Sequence, residues 1–266
     1  MEEAHAGVPE EDREGLVKAS QKCAGLCAML KLFSTELAHR AADHYVQTLG
    51  GNGYMEEYPA SALYRAVRVM KIYEGTSEIN RQTAVAVTLQ RFARDPILMR
   101  AVPYIFQDAG DILSGNGMGK NVPISLEQLL ENMEKSIIYL GGLASLKYSG
   151  STLMEPEQQS ITLRLGNILT SLYMMQSALD RAKKIGGGND KLPMNLARAF
   201  IYGQSPDVYK WATEILPKVT EGESLESGLE VLEHWLNPLA RRTFPLICTF
   251  ERIAAHFIDA GKWDLS

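Results

Sequence analysis

Residues 47–81 read QTLGGNGYMEEYPASALYRAVRVMKIYEGTSEINR, a stretch in which two short breaks separate helical patterns. The first break is the run GGNG, because glycine adopts positive φ readily and a long helix is expected to end there. Pro59 then suits the first turn of a new helix, where its missing N–H costs no hydrogen bond. This second helix is predicted from apolar residues at helical spacing, Leu63, Val67 and Met70.

The second break places a carboxylate between two helices. We expect the second helix to end near Ile72, so that Glu74 lies in a short turn before Thr76, whose hydroxyl suits an N-cap. A carboxylate held there, near the positive end of the next helix, suits a functional role. On spacing alone, however, the favoured interpretation of Glu74 is an acid that complements the helix dipole.

Together the glycine run, the helix start at Pro59 and the turn at Glu74 resemble the catalytic-base segment of the acyl-CoA dehydrogenases. The matching positions are Gln47, the run Gly50 to Tyr54, Glu57-Tyr58-Pro59, Arg65 and the run Ile72 to Ile79. The resemblance favours a catalytic role, in which Glu74 removes the α-proton of an acyl-CoA thioester while the β-carbon delivers hydride to FAD. Such a base needs a dry pocket, because burial raises the pKa of a carboxyl group. In one departure, Ala66 stands where the family usually has Asp.

The same resemblance implies further site residues. Gly75 matches a residue beside the substrate. The positions that match FAD contacts are Gln47, Gly51, Thr76, Ser77 and Glu78. The first two match contacts to FAD held mainly by a neighbouring subunit, so the resemblance also implies a homo-oligomer. From the residues alone, Gln47 and the glycines would be interpreted as a solvated helix end with a C-cap turn.

The similarity covers residues 16–93, which correspond to the last helices of the family's common core. A complete member carries an N-terminal helical domain and a middle β-domain before this point, and these hold most of the FAD. We therefore expect a C-terminal portion that is inactive alone and needs an N-terminal and β-domain portion to hold FAD. The resemblance implies acyl-CoA as substrate and electron-transfer flavoprotein as electron acceptor. A non-enzymatic helical module that serves assembly is the alternative function.

The remaining sequence predicts a second helical region. Residues 94–120 contain prolines, glycines and asparagines that interrupt any long helix, so we interpret them as a connector. Ser125 and Gln128 then form a capping box that begins a new helix. The prediction is an all-α fold, with part of the dehydrogenase helical bundle over residues 1–93 and an appended all-α domain over residues 121–266.

Helical patterns continue through the appended domain. The predicted helices run from Ser125 to about Tyr148, from Pro156 to Lys184, and over about 193–203, 206–218, 224–236 and 238–260. Glycines 186–188 should stop the second of them, and Pro245 should disturb the last. An appended helical domain resembles the very-long-chain branch of the family, with residues 164–184 as the corresponding helix, which implies long acyl chains. We assign Met174 and Met175 to the core.

Charge and hydropathy argue against some partners. With 27 basic and 32 acidic residues and no basic cluster, the chain does not indicate nucleic acid. No apolar run reaches the roughly 18 residues of a spanning helix. Residues 96–106, PILMRAVPYIF, could lie on a membrane surface or against another subunit, but we favour a seam between the two helical regions. We expect a cytoplasmic location, or the mitochondrial matrix if a targeting segment was lost.

The cysteines and histidines do not predict a metal site. Three cysteines, Cys23, Cys27 and Cys248, fit a reducing compartment better than a disulfide scaffold. The first two lie one helical turn apart in an apolar stretch, where packing is the favoured interpretation. The same long helix also carries three polar residues without a set of partner ligands, His39, Asp43 and His44.

Overall fold

A computed structural model describes residues 13–116, 125–149, 152–185, 191–240 and 246–260. These residues are mostly helical and contain no strand, which confirms the all-α prediction. In chain order the helices are α1 Arg13–Leu49, α2 Gly51–Tyr54, α3 Pro59–Val69, α4 Ser77–Arg94, α5 Pro96–Leu113, α6 Leu126–Lys147, α7 Gln159–Lys184, α8 Leu192–Val219, α9 Glu223–Ala240 and α10 Leu246–Ala260. Two short 3-10 turns, Thr152–Met154 and Pro156–Gln158, precede α7.

The chain divides into two compact units. The first comprises residues up to Asp95 together with Met154–Thr170, and the second comprises Pro96–Leu153 together with residues from Ser171 onward. The first unit thus includes the beginning of helix α7. The domain boundary predicted within residues 94–120 stays a prediction, and a cooperative melt of residues 121–266 expressed alone would support it.

The first unit is built on helix α1, which extends over 37 residues. Helices α3 and α4 run back along it, one after the other. In α3, Tyr64 packs at a tilt against His39 of α1, with ring centroids 5.0 Å apart. In α4, Val87 lies close to Gly25, nearer the other end of α1. The turn between α3 and α4, which carries Glu74, therefore lies beside the middle of α1.

The local signals at the ends of these helices are confirmed. Gly50 adopts φ 58° immediately after α1, as a helix-ending glycine does. Pro59 is the first residue of α3, where its missing N–H needs no partner. Thr76 caps α4, since its side chain accepts a hydrogen bond from the Ile79 N–H. Each of these features depends on a few neighbouring residues, which is why the sequence alone predicts them.

Helix α3 is buried along one narrow line only. Its buried residues are Ala60 and Val67, which lie two helical turns apart. Leu63 and Met70, whose spacing with Val67 predicted the helix, are 44% and 36% exposed. The helix that this spacing predicted is confirmed, but its buried contacts are made by Ala60 and Val67, and Met70 lies just beyond its last residue, Val69.

Part of the predicted connector is helical instead. Helix α5 covers Pro96–Leu113 and contains Pro103 in its interior. Its face against α6 and α9 includes the buried residues Ile105, Ala109 and Ile112. An internal proline costs roughly 3 kcal/mol, but burying each isoleucine stabilises the helix by about 1.5–3 kcal/mol, so packing outweighs the break. The expectation that this stretch would interrupt any long helix was wrong for residues 96–113.

Helix α8 corrects a second expectation. Two shorter helices were predicted here with a break before Pro206, but α8 runs from Leu192 to Val219 without interruption. Ile201 and Val208, which lie on either side of the proline, are both fully buried. Because the buried face continues across Pro206, the packing energy again exceeds the cost of the lost backbone hydrogen bond.

The other helices of the second unit follow the prediction more closely. Helix α6 begins at the expected capping box, in which Ser125 and Gln128 exchange side-chain and backbone hydrogen bonds. In α7, Met174 and Met175 are 8% and 0% exposed, so their assignment to the core is confirmed. Three predictions concern residues or side chains outside the described part of the chain, namely those for Gly186–Gly188, Pro245 and Cys248.

An aromatic cluster lies at the centre of the second unit. Tyr139 of α6 packs edge-on against Trp235 of α9, with ring centroids 5.6 Å apart. It also packs at a tilt against Phe106 of α5, with ring centroids 5.1 Å apart. The side-chain amide of Asn132 donates a hydrogen bond to the carbonyl oxygen of Trp235 at 3.2 Å. Phe106 of the PILMRAVPYIF segment thus packs within this unit. None of the described helices combines the length and apolarity that crossing a bilayer requires.

Candidate active site

The backbone of Glu74 has an unusual conformation. Its φ is 54°, and among the described residues it is the only non-glycine residue with positive φ. This left-handed conformation costs an L-residue about 1–2 kcal/mol. Gly75 follows with φ 87°. Such strain persists only where the surrounding structure holds it, and it is concentrated at functional sites.

The side chain of Lys31 holds the backbone on both sides of Glu74. Its ammonium group, from the middle of α1, donates hydrogen bonds to the carbonyl oxygens of Tyr73 at 3.0 Å and Gly75 at 2.5 Å. The same nitrogen lies 6.0 Å from the centroid of the Tyr73 ring, at the outer range of a cation–π contact. Hydrogen bonds from a charged donor are stronger than neutral ones, so Lys31 is well suited to stabilise the turn.

A second side chain fixes Gly75. The amide nitrogen of Asn80, in the first turn of α4, donates to the carbonyl oxygens of Gly75 at 2.7 Å and Thr76 at 3.0 Å. A Cβ atom on Gly75 would lie only 3.2 Å from this nitrogen. Glycine is therefore favoured at this position both by its positive φ and by the close approach of Asn80.

Glu36 joins the two ends of the turn. Its carboxylate accepts hydrogen bonds from the Lys71 ammonium at 2.6 Å and from the Ser77 hydroxyl at 2.9 Å. The Ser77 N–H also donates to the Lys71 carbonyl oxygen, at 3.2 Å. Burial acts to raise the pKa of Glu36, but the two hydrogen bonds and the charges of Lys71 and Arg81 outweigh it, so this pKa lies below its ordinary value. Glu36 is therefore an ionised structural partner of the turn.

Arg81 connects this network to the beginning of helix α7. Its Nε donates a hydrogen bond to the side-chain oxygen of Asn167 at 2.5 Å. Its guanidinium nitrogens also lie 3.8 Å from the carboxylates of Glu36 and Glu78. Gly166 lies next to the Arg81 backbone, where an added Cβ would be 2.8 Å from the carbonyl oxygen. The packing of α7 on α4 thus depends on a glycine and on one side-chain hydrogen bond.

The predicted FAD-contacting run uses much of its hydrogen-bonding capacity within the chain. Ser77 is buried, and its hydroxyl is bonded to Glu36. The Thr76 side chain caps α4. Glu78 is exposed, and hydrogen bonds from its own N–H and from the Thr76 side chain, together with the charge of Arg81, hold its pKa below the ordinary value. Thr76 and Ser77 therefore position the turn, whereas Glu78 is exposed to solvent.

Gln47 and Gly51 lie at a different place. Both are exposed, one in the last turn of α1 and the other in the short helix α2. Gln47 follows Lys31 by sixteen residues of α1, which corresponds to about 24 Å along a helix axis. A Cβ atom on Gly51 would meet nothing within 4 Å, so the backbone there is open. The structure thus does not bring these two residues together with the Glu74 turn.

No motif in the sequence indicated the four side chains that hold the turn, which are Lys31, Glu36, Asn80 and Arg81. Asn80 and Arg81 directly follow the matching run Ile72 to Ile79, so closeness in sequence could have indicated them. Lys31 and Glu36 are remote, with partners 44 and 41 residues away. No local pattern predicts which residue of a long helix lies beside a turn so far along the chain.

Glu74 is exposed, and so are three large apolar residues close to it in the sequence. Ile72, Tyr73 and Ile79 are 53%, 46% and 51% exposed. The dry pocket expected for a general base is therefore not closed by the described residues of the first unit. No group of His, Cys, Asp and Glu side chains suited to a metal ion occurs in the described part of the chain.

Comparisons with known proteins agree with this fold. Two family models, both described as acyl-CoA dehydrogenase, C-terminal domain, match residues 14–89 and 132–234. The solved structure of an acyl-CoA dehydrogenase complexed with FAD from Bacillus anthracis superposes with a TM-score of 0.82 and 26% sequence identity. The superposition covers 99% of this chain and 45% of that one.

Proteins that are similar in sequence are also named as acyl-CoA dehydrogenases. A "Probable acyl-CoA dehydrogenase" of Bacillus subtilis (strain 168) is 27% identical over 225 residues, which are 83% of this chain and 37% of that protein. The human "Short-chain specific acyl-CoA dehydrogenase, mitochondrial" is 50% identical over 54 residues, which are 20% of this chain and 13% of that protein. The chain belongs to the acyl-CoA dehydrogenase family. It spans less than half the length of these relatives.

Proposed function

We propose that this chain supplies the catalytic base of a flavin-dependent dehydrogenase that introduces an α,β double bond into long-chain acyl-CoA thioesters. The observation that carries the proposal is the turn at Glu74, whose left-handed backbone is held by Lys31 on both sides. Backbone strain that is held in place by charged side chains is characteristic of functional residues. Membership of the family supplies the reaction class.

In the proposed reaction, the Glu74 carboxylate takes the α-proton of the thioester. The α-carbon is a weak acid, so negative charge on the thioester oxygen must be stabilised as the proton leaves. We assign this role to the Glu74 backbone N–H, a donor in a turn whose geometry is already fixed. The short tether between this N–H and the carboxylate of the same residue would align the two groups with the reacting carbonyl and α-carbon.

FAD is the proposed cofactor, and when bound it supplies the acceptor for the hydride of the β-carbon. Gln47 and Gly51 fit a contact with such a dinucleotide, because the side chain of the first is exposed and the backbone of the second is open. Glu78 is also accessible. The buried hydroxyl of Ser77 fits less well, since it is already bonded to Glu36. We therefore assign Thr76 and Ser77 to positioning of the turn.

We further propose that other parts of the dehydrogenase complete the pocket around Glu74. The exposed apolar side chains of Ile72, Tyr73 and Ile79 support this, because a general base works best when its surroundings exclude water. Association into a homo-oligomer, transfer of electrons to electron-transfer flavoprotein, and a location in the bacterial cytoplasm or mitochondrial matrix belong to the same proposal. Relatives of both bacterial and mitochondrial type are known.

The test is Glu74→Gln in the complete enzyme that contains this sequence, assayed with long-chain acyl-CoA and an artificial electron acceptor. Loss of a general base lowers kcat by about 10² to 10⁴. Substrate should still bind, since glutamine keeps the size of the side chain. Glu134→Gln, at an exposed position of α6, is the matched control and should keep normal activity. Undiminished turnover by Glu74→Gln would contradict the proposal and favour the assembly-module hypothesis.

A further inference from the structure

We propose that Lys31 is a positioning residue for the Glu74 base, and this inference rests on the proposed function. The left-handed backbone of Glu74 fixes the direction in which its carboxylate projects. An L-residue prefers negative φ, so the turn would relax if nothing opposed that change. What holds Glu74 in its conformation is therefore also what holds the base in place.

Among the described side-chain hydrogen bonds, those of Lys31 are the ones that hold the residues directly before and directly after Glu74. The ammonium group donates to the Tyr73 carbonyl oxygen on one side and to the Gly75 carbonyl oxygen on the other. Asn80 acts only after Glu74, on Gly75 and Thr76. Glu36 acts farther out, through the side chains of Lys71 and Ser77.

The position of Lys31 within α1 makes this support rigid. Its neighbours in the same helix, Ala28, Leu32 and Thr35, are buried, so this part of α1 is fixed by packing. The Lys31 side chain is itself partly buried, and it approaches the Tyr73 ring as well as the carbonyl oxygen. Precise placement of a base has a large effect on rate, because a shift of about 1 Å can cost roughly a hundredfold.

The experiment uses the complete FAD-loaded enzyme with Lys31→Met, which keeps an unbranched side chain of nearly the same length but removes the charge and the donors. We expect kcat to fall about tenfold to a hundredfold with little change in KM for acyl-CoA. Lys31→Arg, which keeps a charged donor, should restore part of the rate. Lys147→Met removes a lysine from an exposed ion pair in the second unit and should have normal kinetics.

Hydrogen–deuterium exchange supplies a readout that does not depend on activity. In Lys31→Met, the amides of residues 72–76 should exchange faster, whereas those of α6 should keep the wild-type rate. Wild-type kcat and wild-type exchange in the turn would overturn the inference. Equally faster exchange throughout the first unit would also overturn it, because that result indicates a general structural role.

The two proposals fail in different ways. Full activity of Glu74→Gln overturns the proposed function, and with it the role of Lys31 in catalysis. Full activity of Lys31→Met, together with an inactive Glu74→Gln, overturns only the inference about Lys31.

Discussion

Gly166 of helix α7 lies so close to Arg81 of helix α4 that a Cβ on the glycine would be 2.7 Å from the Arg81 Cβ and 2.8 Å from its carbonyl oxygen. Two helix backbones can approach this closely only where one of them lacks a side chain. The close approach also allows the hydrogen bond between Arg81 and Asn167. Helix α7 therefore takes part in the network around Glu74, although it lies far along the chain.

Gly166→Ala should destabilise the protein. The methyl group collides with backbone atoms, which cannot move aside, and overpacking of this kind costs about 1–3 kcal/mol. The measurement is the free energy of unfolding in urea. Gly203→Ala is the matched control, because a Cβ there meets nothing within 4 Å. Alanine in an exposed helix is more favourable than glycine by roughly 0.5–1 kcal/mol, so the control should be slightly stabilised. Equal effects of the two substitutions would contradict the packing argument.

Gly75→Ala should lower kcat of the complete enzyme, whereas the same substitution at Gly115 should not. Gly75 has φ 87° and would bring its Cβ within 3.2 Å of the Asn80 amide nitrogen, whereas Gly115 has φ 77° and open space around it. Both substitutions introduce backbone strain of about 1–2 kcal/mol. Only Gly75→Ala should also lower kcat of the complete enzyme, because only it displaces Asn80. Comparable losses of kcat in both variants would show that contact with Asn80 is unimportant.

Glu36→Gln should lower stability in a pH-dependent manner. The pKa of Glu36 is lower in the folded protein than in the unfolded chain, so its ionised form stabilises the fold above the unfolded pKa. This contribution is lost as pH falls through the folded pKa. Since hydrogen bonds to a charged group contribute about 1.5–3 kcal/mol, the variant should be less stable by that amount at neutral pH and by less in acid. Urea unfolding at several pH values measures the difference.

Glu221→Gln is the control for this pH experiment. Glu221 forms an ion pair with Lys147, but both groups are at the surface, where such pairs contribute little. Its substitution should leave the dependence of stability on pH nearly unchanged. A Glu36→Gln variant with the same pH profile as the wild type would show that the Glu36 network does not stabilise the fold.

Glu127 should titrate at an unusually low pH. A hydrogen bond from Lys183, followed in importance by those from its own N–H and from Ser125, lowers its pKa to about 2. In Lys183→Met we expect this pKa to rise towards the ordinary value without reaching it, because the helix-end hydrogen bonds remain. NMR titration of the side chain measures both values. An unchanged pKa in the variant would exclude Lys183 as the main cause.

The effect of this pair on folding should be small. Lys183 and Glu127 lie 2.8 Å apart, but their side chains are 46% and 53% exposed. Solvent screening limits such surface pairs to about 1 kcal/mol or less. Because the folded pKa of Glu127 is depressed, this contribution is present above the unfolded pKa and is lost as pH falls towards 2.

The sequence by itself determined where the helices around the candidate site begin and end. Gly50, Pro59 and Thr76 act through their own φ values and through the hydrogen-bonding needs of adjacent residues. The capping box at Ser125 is equally local. Such signals do not depend on the rest of the fold, so they are predictable from a short stretch of chain.

Only the tertiary structure decided which helices continue through a proline and what holds Glu74. Pro103 and Pro206 lie inside helices because buried faces extend across them, and burial is a property of the assembled unit. Lys31 and Glu36 contact the turn across 44 and 41 residues of sequence. Contacts over such separations depend on how helices pack against one another, because that packing decides which side chain faces which carbonyl.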